Sequence, residues 1–195
     1  MKIVAIFGSP RKGNSDALAE EFIIESEQHG AEVEKYYLRE MTLKGCLACG
    51  ACKSGKSDKC IIQDDLSPVL DSILRTDVVL ISTPVYFSDL PWLVKSFIDR
   101  WHSFIDFNDA GYHFRIDSGK KMVFILTQAK SKDLHTDIPG RYNSTFMEFG
   151  FEKMYLIHEG GLRDHDGVNK NGNYLRLARE TARELLSGKD SKAEL

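Results

Sequence analysis

Short, nearly continuous apolar runs alternate in this chain with longer segments whose apolar residues recur at helical spacing, and that alternation constrains the fold more than any other feature. Val78 to Ile81 and Lys121 to Thr127 are apolar almost throughout. Strands of that kind are buried on both faces, which requires a sheet covered by helices on either side. Lys2 to Phe7 and Lys153 to His158 read as further strands, and Glu32 to Leu38 interleaves Val33, Tyr37 and Leu38 with charges, as suits a strand nearer an edge. Between the runs lie the helical patterns. Asn14-Ser15 precede Ala17, Leu18, Phe22 and Ile23, and Asp64-Asp65 precede Leu66, Val69, Leu70, Ile73 and Leu74. Pro91 opens a segment bearing Leu93, Val94, Phe97, Ile98 and Trp101, and two more helices are predicted within Asp133 to Phe149 and over Tyr174 to Leu186.

Five strands alternating with five helices predict parallel βαβ units: an α/β fold with a doubly wound five-stranded parallel sheet and helices on both faces. At 195 residues and 42% apolar side chains, the chain suits a single core. The expected organisation is one domain over residues 1–188, with a cysteine-rich insertion at 45–63, an irregular loop from Glu159 to Gly172 and a polar tail at 189–195. Lys plus Arg number 26 against 29 Asp plus Glu, a net charge of −3, so no basic excess favours nucleic acid. No stretch approaches the roughly 18 uninterrupted apolar residues of a membrane span, and the first apolar run is too short for a signal peptide. A cytoplasmic location with no membrane partner is the expectation.

In an open parallel sheet, ligands bind beyond the carboxyl ends of the strands. The first strand leads into Gly8-Ser9-Pro10-Arg11-Lys12-Gly13-Asn14-Ser15. Gly8 and Gly13 permit close backbone approach, while Ser9, Asn14 and Ser15 supply neutral donors and Arg11 a charged fork. Free amides at the helix start favour an anion, and a monophosphate fits. The spacing matches neither G-x-G-x-x-G nor a P-loop; a plain strand-to-helix turn capped by Asn14 or Ser15 is the structural alternative. The loop Thr83-Pro84-Val85-Tyr86-Phe87 follows the central strand. There Tyr86 and Phe87 offer walls for a planar ring, and the amides of Val85, Tyr86 and Phe87 offer donors to its polar edge. Gln128, after the next strand, is placed to reach that edge too.

These loops resemble those of the flavodoxin-like NAD(P)H-dependent FMN reductase family, which opens with a Gly-Ser-Pro-Arg-x-x-Gly-Asn-Ser/Thr loop. Pro91, Leu93, Lys95, Phe97, Ile98, Asp99 and Arg100 follow the family's Pro-x-x-Leu-Lys-x-Phe-Ile-Asp-Arg helix nearly letter for letter, so the resemblance covers roughly the first half of the chain. It implies FMN held by Ser9, Pro10, Arg11, Gly13, Asn14 and Ser15 at its phosphate and by Thr83, Pro84, Val85, Tyr86, Phe87 and Gln128 at its ring. Gln128 stands where relatives often carry glycines. Reduced nicotinamide, NADH or NADPH, is implied as co-substrate, with a homodimer or homotetramer as the assembly. The flavin carries the chemistry, so no side chain is assigned as catalytic. A non-enzymatic FMN-binding electron carrier with a structural cysteine site is the alternative.

All four cysteines fall in one window, as Cys46, Cys49, Cys52 and Cys60, spaced C-x2-C-x2-C-x7-C. Disulfides that staple a fold join distant segments and are rare in the cytoplasm, so this crowding points to a metal or redox site. The triplet at three-residue intervals favours iron–sulfur ligation over zinc, which more often uses two separated knuckles. Gly45, Gly50 and Gly55 allow the tight turns needed. The segment looks like the cluster loop of the iron–sulfur flavoproteins, a branch of the same family, and implies a [4Fe–4S] cluster exchanging electrons with a ferredoxin-type partner; zinc, an oxidised pair and free thiols remain the alternatives. The six histidines show no ligand spacing and none is assigned to metal. No Ser-His-Asp order supports hydrolysis. Lys95, Asp99 and Arg100 read as structural or interface residues, and the aromatics between Asp106 and Arg115 as packing.

Overall fold

The computed structural model of the protein describes residues 1–53, 57, 59–108 and 111–188. The polar tail and Gly55 lie outside them. Five strands form one parallel sheet: β1 (Lys2–Phe7), β2 (Glu32–Tyr37), β3 (Val78–Pro84), β6 (Lys121–Thr127) and β7 (Lys153–Glu159). Their spatial order is β2-β1-β3-β6-β7, so the chain winds one way from β1 to β2 and the other way from β1 to β3. The expected fold is the observed one, including the charged strand β2 at an edge.

Alternation along the strands builds two cores. Val4, Ile6, Val79, Ile81, Met122, Phe124 and Leu126 face α2 (Leu66–Leu74), α3 (Trp92–Asp99) and α4 (Asp137–Glu148). Ile3, Ala5, Phe7, Val78, Leu80, Val123 and Ile125 face α1 (Asn14–Gln28) and α5 (Gly172–Ser187). Each central strand thus buries both faces, which is why its sequence is a continuous apolar run.

Three differences from the sequence reading have local causes. Leu38 leaves β2 for a short 3-10 turn, Leu38–Glu40, because its side chain is fully buried against the α3 side of the sheet. The helix bearing Trp101 ends at Asp99 and tightens into a 3-10 turn over Arg100–Phe104. There Trp101 drops into an aromatic cluster, with Phe97 at 5.6 Å, Phe149 at 5.7 Å and Phe104 at 5.9 Å between ring centroids. The segment read as aromatic packing between Asp106 and Arg115 is an antiparallel hairpin, β4 (Ile105–Asn108) with β5 (Gly111–Phe114). Its Phe114 does pack, 4.8 Å from Phe149, whereas Phe107 and Tyr112 are exposed. Among the described residues no helix is long and apolar enough to cross a membrane.

Trp101 is the hub of this cluster and is fully buried. Trp101→Ala is expected to destabilise the fold by about 3–5 kcal/mol, read as a lowered urea midpoint at unchanged m-value, with Trp101→Phe losing clearly less; a change under about 1 kcal/mol for the alanine variant would contradict the packing.

Candidate functional site

The site is built where β1 and β3 lie side by side. Gly8 N–H donates to the Ser82 carbonyl at 2.7 Å, and Ser82 Oγ donates to the Ser15 carbonyl at 2.8 Å. These bonds fix the exit of β1 and the first turn of α1 against β3. A Cβ on Gly8 would stand 2.1 Å from Val94 Cγ2, so the loop leaves the sheet in a gap that only glycine fits. Ser9 is buried, and its hydroxyl donates to the Arg11 carbonyl at 2.5 Å while accepting from Arg11 N–H at 3.3 Å. Its side chain shapes the turn.

Helix α1 begins at Asn14 after an extended Gly13 that offers no side-chain cap. The first intrahelical bond joins Ala17 N–H to the Gly13 carbonyl at 3.0 Å. The amides of Asn14, Ser15 and Asp16 therefore have no acceptor within the helix, and the helix dipole adds to their pull on an anion. Neither Asn14 nor Ser15 serves as the cap. Asn14 Nδ2 donates to the Asp164 carbonyl at 2.6 Å, and Oδ1 accepts from Val168 N–H at 3.0 Å. Its side chain thus straps the loop to residues 164–168, which leaves its backbone amide, rather than the side-chain donor expected, for a ligand. Asp16 is buried and paired with Arg39 at 2.7 Å. Burial outweighs that guanidinium and pushes the Asp16 carboxyl up to about 6.

The second loop turns tightly. Tyr86 N–H donates to the Asp89 carbonyl at 2.8 Å and Asp89 N–H to the Tyr86 carbonyl at 3.0 Å, with Phe87 and Ser88 both left-handed at φ 45° and 66°. This is a type I′ turn made without glycine, a strained arrangement that holds Phe87 fully exposed at its tip. Asp89 Oδ1 accepts from Leu90 N–H at 2.8 Å and Tyr142 Oη at 3.1 Å, and Oδ2 from Arg141 at 3.3 Å. Although burial opposes ionisation, these donors hold the Asp89 carboxylate below the usual range.

Two expected donors are spent inside the protein. Val85 N–H donates to the Thr127 carbonyl at 2.8 Å and Tyr86 N–H closes the turn, so Phe87 is the only one of the three whose amide has no partner among the described residues. Gln128 does not hold out a side-chain donor either. Its Nε2 donates to the Leu134 carbonyl at 2.9 Å and to that of Ser131, and its Oε1 lies 3.3 Å from His158 Nε2. The longer side chain, where relatives often have glycine, braces its own loop.

One cleft of about 90 Å³ gathers these parts. Ser9, Arg11, Gly13, Asn14 and Ser15 line one wall, Pro84, Val85 and Tyr86 another, and Gln128 a third. Pro10, Thr83 and Phe87 stand outside that lining, Thr83 being fully buried. The sequence reading missed Leu162, Arg163 and His165, which line the cleft from the loop after β7. Its position beyond a strand's carboxyl end was the available signal. Neither Arg11 nor Arg163 is paired with a carboxylate among the described residues. The cleft thus joins an uncapped helix start to the first residues, Pro84 to Tyr86, of the loop that carries Phe87 at its tip.

The cysteines occupy the other end of α3. All four are free thiols lining one small hollow of about 20 Å³, together with Ile61, Ile62 and Arg100. Ala48 and Gly50 are left-handed, which wraps the loop tightly, and Ala48 N–H donates to Cys46 Sγ at 3.4 Å. Arg100 is buried and closes the loop's neck: its Nη1 donates to the Lys44 carbonyl and to Asp64 Oδ2, both at 3.0 Å, and its Nη2 to the Ile62 carbonyl at 3.1 Å. Its Nε is buried without a partner among the described residues. Among the described residues no three His, Cys, Asp or Glu side chains are disposed to hold a single metal ion. The donor set is nonetheless soft and all-thiol, which fits an iron–sulfur group whose corners spread the ligands apart, and the unpartnered Nε is a donor in want of an acceptor.

The family model for NADPH-dependent FMN reductases matches residues 1–134. The chain belongs to that family. Its members are flavin-dependent oxidoreductases. An iron–sulfur flavoprotein of Archaeoglobus fulgidus is 38% identical over 100 residues, 51% of this chain and 48% of that one. One of Methanosarcina thermophila is 32% identical over 101 residues, 51% of this chain and 52% of that one. The chain spans about half the length of these curated relatives. A Bacillus subtilis protein named for an NAD(P)H-dependent FMN-containing oxidoreductase is 26% identical over 187 residues, 90% of this chain and 97% of its own. Among solved structures, the NAD(P)H:quinone oxidoreductase of Methanothermobacter marburgensis superposes with a TM-score of 0.76 at 21% identity, over 95% of this chain and 98% of that one. That likeness shows the fold.

Asn14→Ala removes both bonds to residues 164–168 and is expected to lower stability by about 1–2 kcal/mol, with the Val168 amide exchanging faster; unchanged Val168 exchange would contradict the strap. For Asp16 the folded pKa lies above the unfolded one, so its contribution to stability is greatest below about pH 4 and is lost as pH rises through about 6. Urea titrations should show Asp16→Asn gaining on the wild type across that window; a pH-independent difference would contradict the shift.

Proposed function

We propose that the protein is an FMN-dependent oxidoreductase that takes electrons from NADH or NADPH and passes them to an acceptor. The observation that carries this reading is the meeting of an uncapped helix start and an aromatic-tipped loop at one cleft beside β1 and β3. The amides of Asn14, Ser15 and Asp16 and the guanidinium of Arg11 hold the FMN phosphate. Val85 and Tyr86 wall the ring, and the Phe87 amide meets its polar edge. FMN, when bound, supplies the electron-accepting chemistry. The chain's own part is to seat the phosphate, orient the ring and leave one face open to the nicotinamide.

Cys46, Cys49, Cys52 and Cys60 hold an iron–sulfur group, a [4Fe–4S] cluster, which exchanges single electrons with a ferredoxin-type partner. The soft donor set and the unpartnered Arg100 Nε support this. Exposed Phe87, at the tip of the ring loop, and Trp92, just beyond it, support a homodimer or homotetramer in which a second subunit closes that side.

The purified protein is expected to show flavin bands near about 375 and 450 nm, and to oxidise NADH or NADPH in the presence of an electron acceptor. Absence of flavin would sink the proposal; flavin without turnover would turn the protein into an electron carrier. Arg11→Ala combined with Ser15→Ala removes a charge-assisted contact and a hydroxyl at the phosphate, so FMN should bind roughly 10–100-fold more weakly. Unchanged affinity would place the phosphate elsewhere.

A further inference from the structure

We infer that Arg100 donates its Nε–H to a sulfur of the cysteine hollow and thereby sets the reduction potential of the iron–sulfur group held there. The inference rests on the reading that the four cysteines hold such a group, and adds to it the residue that tunes it.

Arg100 is 1% exposed, which is rare for a guanidinium and destabilising unless its donors are matched. Three donations are accounted for, and they share a target. The Lys44 carbonyl lies just before Cys46, the Ile62 carbonyl just after Cys60, and Asp64 accepts both from Arg100 at 3.0 Å and from Lys44 N–H at 2.9 Å. One side chain therefore gathers both ends of the cysteine loop. Of the two remaining N–H groups of the guanidinium, the one on Nε is buried with no acceptor among the described residues, on a residue that lines the same hollow as all four sulfurs. Buried N–H groups are almost always paired, and the four cysteine sulfurs that line the hollow are acceptors. The loop already uses such a bond, from Ala48 N–H to Cys46 Sγ. Among the described residues, the other cations of the loop are engaged elsewhere: Lys53 donates to the His102 and Ile105 carbonyls and lies 5.5 Å from the Phe107 ring centre, and Lys59 pairs with Asp71 at 2.7 Å.

A buried cation with an N–H pointed at sulfur stabilises the more negative, reduced state, so it raises the potential. Lysine would keep the charge but carries donors only at its tip, so it cannot both clamp the neck and reach a sulfur. Arg100 also stands at the end of α3, whose start follows the ring loop, and the cysteine loop rests on that helix, where a Cβ at Gly45 would lie 3.4 Å from Ser96 Oγ. The helix that leads from the ring loop ends on the residue tuning the cysteine site.

The test uses the full chain with FMN, loaded anaerobically with iron and sulfide, as wild type, Arg100→Lys, Arg100→Gln and Asp64→Asn. Iron and sulfide content are measured together with the midpoint potential, the latter by dithionite titration followed by EPR. Both Arg100 variants should bind a cluster whose oxidised-to-reduced ratio, at the wild-type midpoint, rises at least tenfold, about 59 mV for a one-electron couple. Asp64→Asn loosens the clamp but keeps the Nε, and should lower the melting temperature with no negative shift in potential. Arg100 variants with the wild-type potential, or an Asp64→Asn shift of the same sign and size, would overturn the inference and leave a purely structural clamp. Should the Arg100 variants fail to fold, wild type carrying guanidino-15N arginine decides: pulsed EPR of the reduced cluster should show coupling to that nitrogen, and its absence overturns the inference. A wild type that takes up no iron and sulfide fails at the cluster reading itself, before any variant is compared.

Discussion

The pairing of β1 with β3 is the interaction on which the site depends. Because the chain winds outward in both directions from β1, the loops leaving β1 and β3 emerge side by side at the carboxyl edge of the sheet with no helix between them. The Gly8 to Ser82 bond, the Ser82 to Ser15 bond and the gap that only Gly8 fits convert that topological opening into a fixed geometry. The anion-seeking amides of α1 are thereby held at a set offset from the loop beginning at Pro84. The loops after β6 and β7 join them, strapped in place by Gln128 and Asn14.

A division of labour among polar groups follows. Several residues that look like ligand donors in sequence are structural struts: Ser9 Oγ, the Asn14 amide group, the Val85 and Tyr86 N–H groups and Gln128 all bond within the protein. What remains without a partner at the cleft, among the described residues, is mostly backbone, together with the guanidiniums of Arg11 and Arg163, which pair with no carboxylate. A rigid frame of satisfied side chains presenting unsatisfied amides suits a cofactor that carries its own chemistry, because the protein then has to position charge rather than move protons.

Much of this was legible in the sequence because the relevant signals are local. Val78 to Ile81 and Lys121 to Met122-Val123-Phe124 announce central strands by being apolar on both faces, and Gly8 with Gly13 announces a loop that must approach something closely. Direction of side chains was not legible. Whether Asn14 caps its helix or reaches across to Val168, and whether Gln128 faces a ligand or its own loop, depends on segments more than 25 residues distant or on turn geometry that no spacing encodes. The hairpin β4–β5 was hidden for a similar reason: Phe107, Tyr112 and Phe114 read equally well as packing, and only the strand pairing shows that Phe114 meets Phe149 while the other two stay exposed. Arg100 sat in plain view within a helix motif, yet its role appears only once Lys44, Ile62 and Asp64 are seen to converge on it.

A helix start at Gly13 to Asp16 that seats a terminal phosphate, beside a loop at Pro84 to Phe87 that seats a ring, would make flavin affinity depend on the phosphate. Comparing the affinity of the flavin-free protein for FMN with that for riboflavin tests it most directly, since the two ligands share the ring and ribityl chain and differ only in the phosphate. Riboflavin is expected to bind at least 100-fold more weakly than FMN, roughly 2.7 kcal/mol, with high salt narrowing the gap. Equal affinity for the two would contradict it.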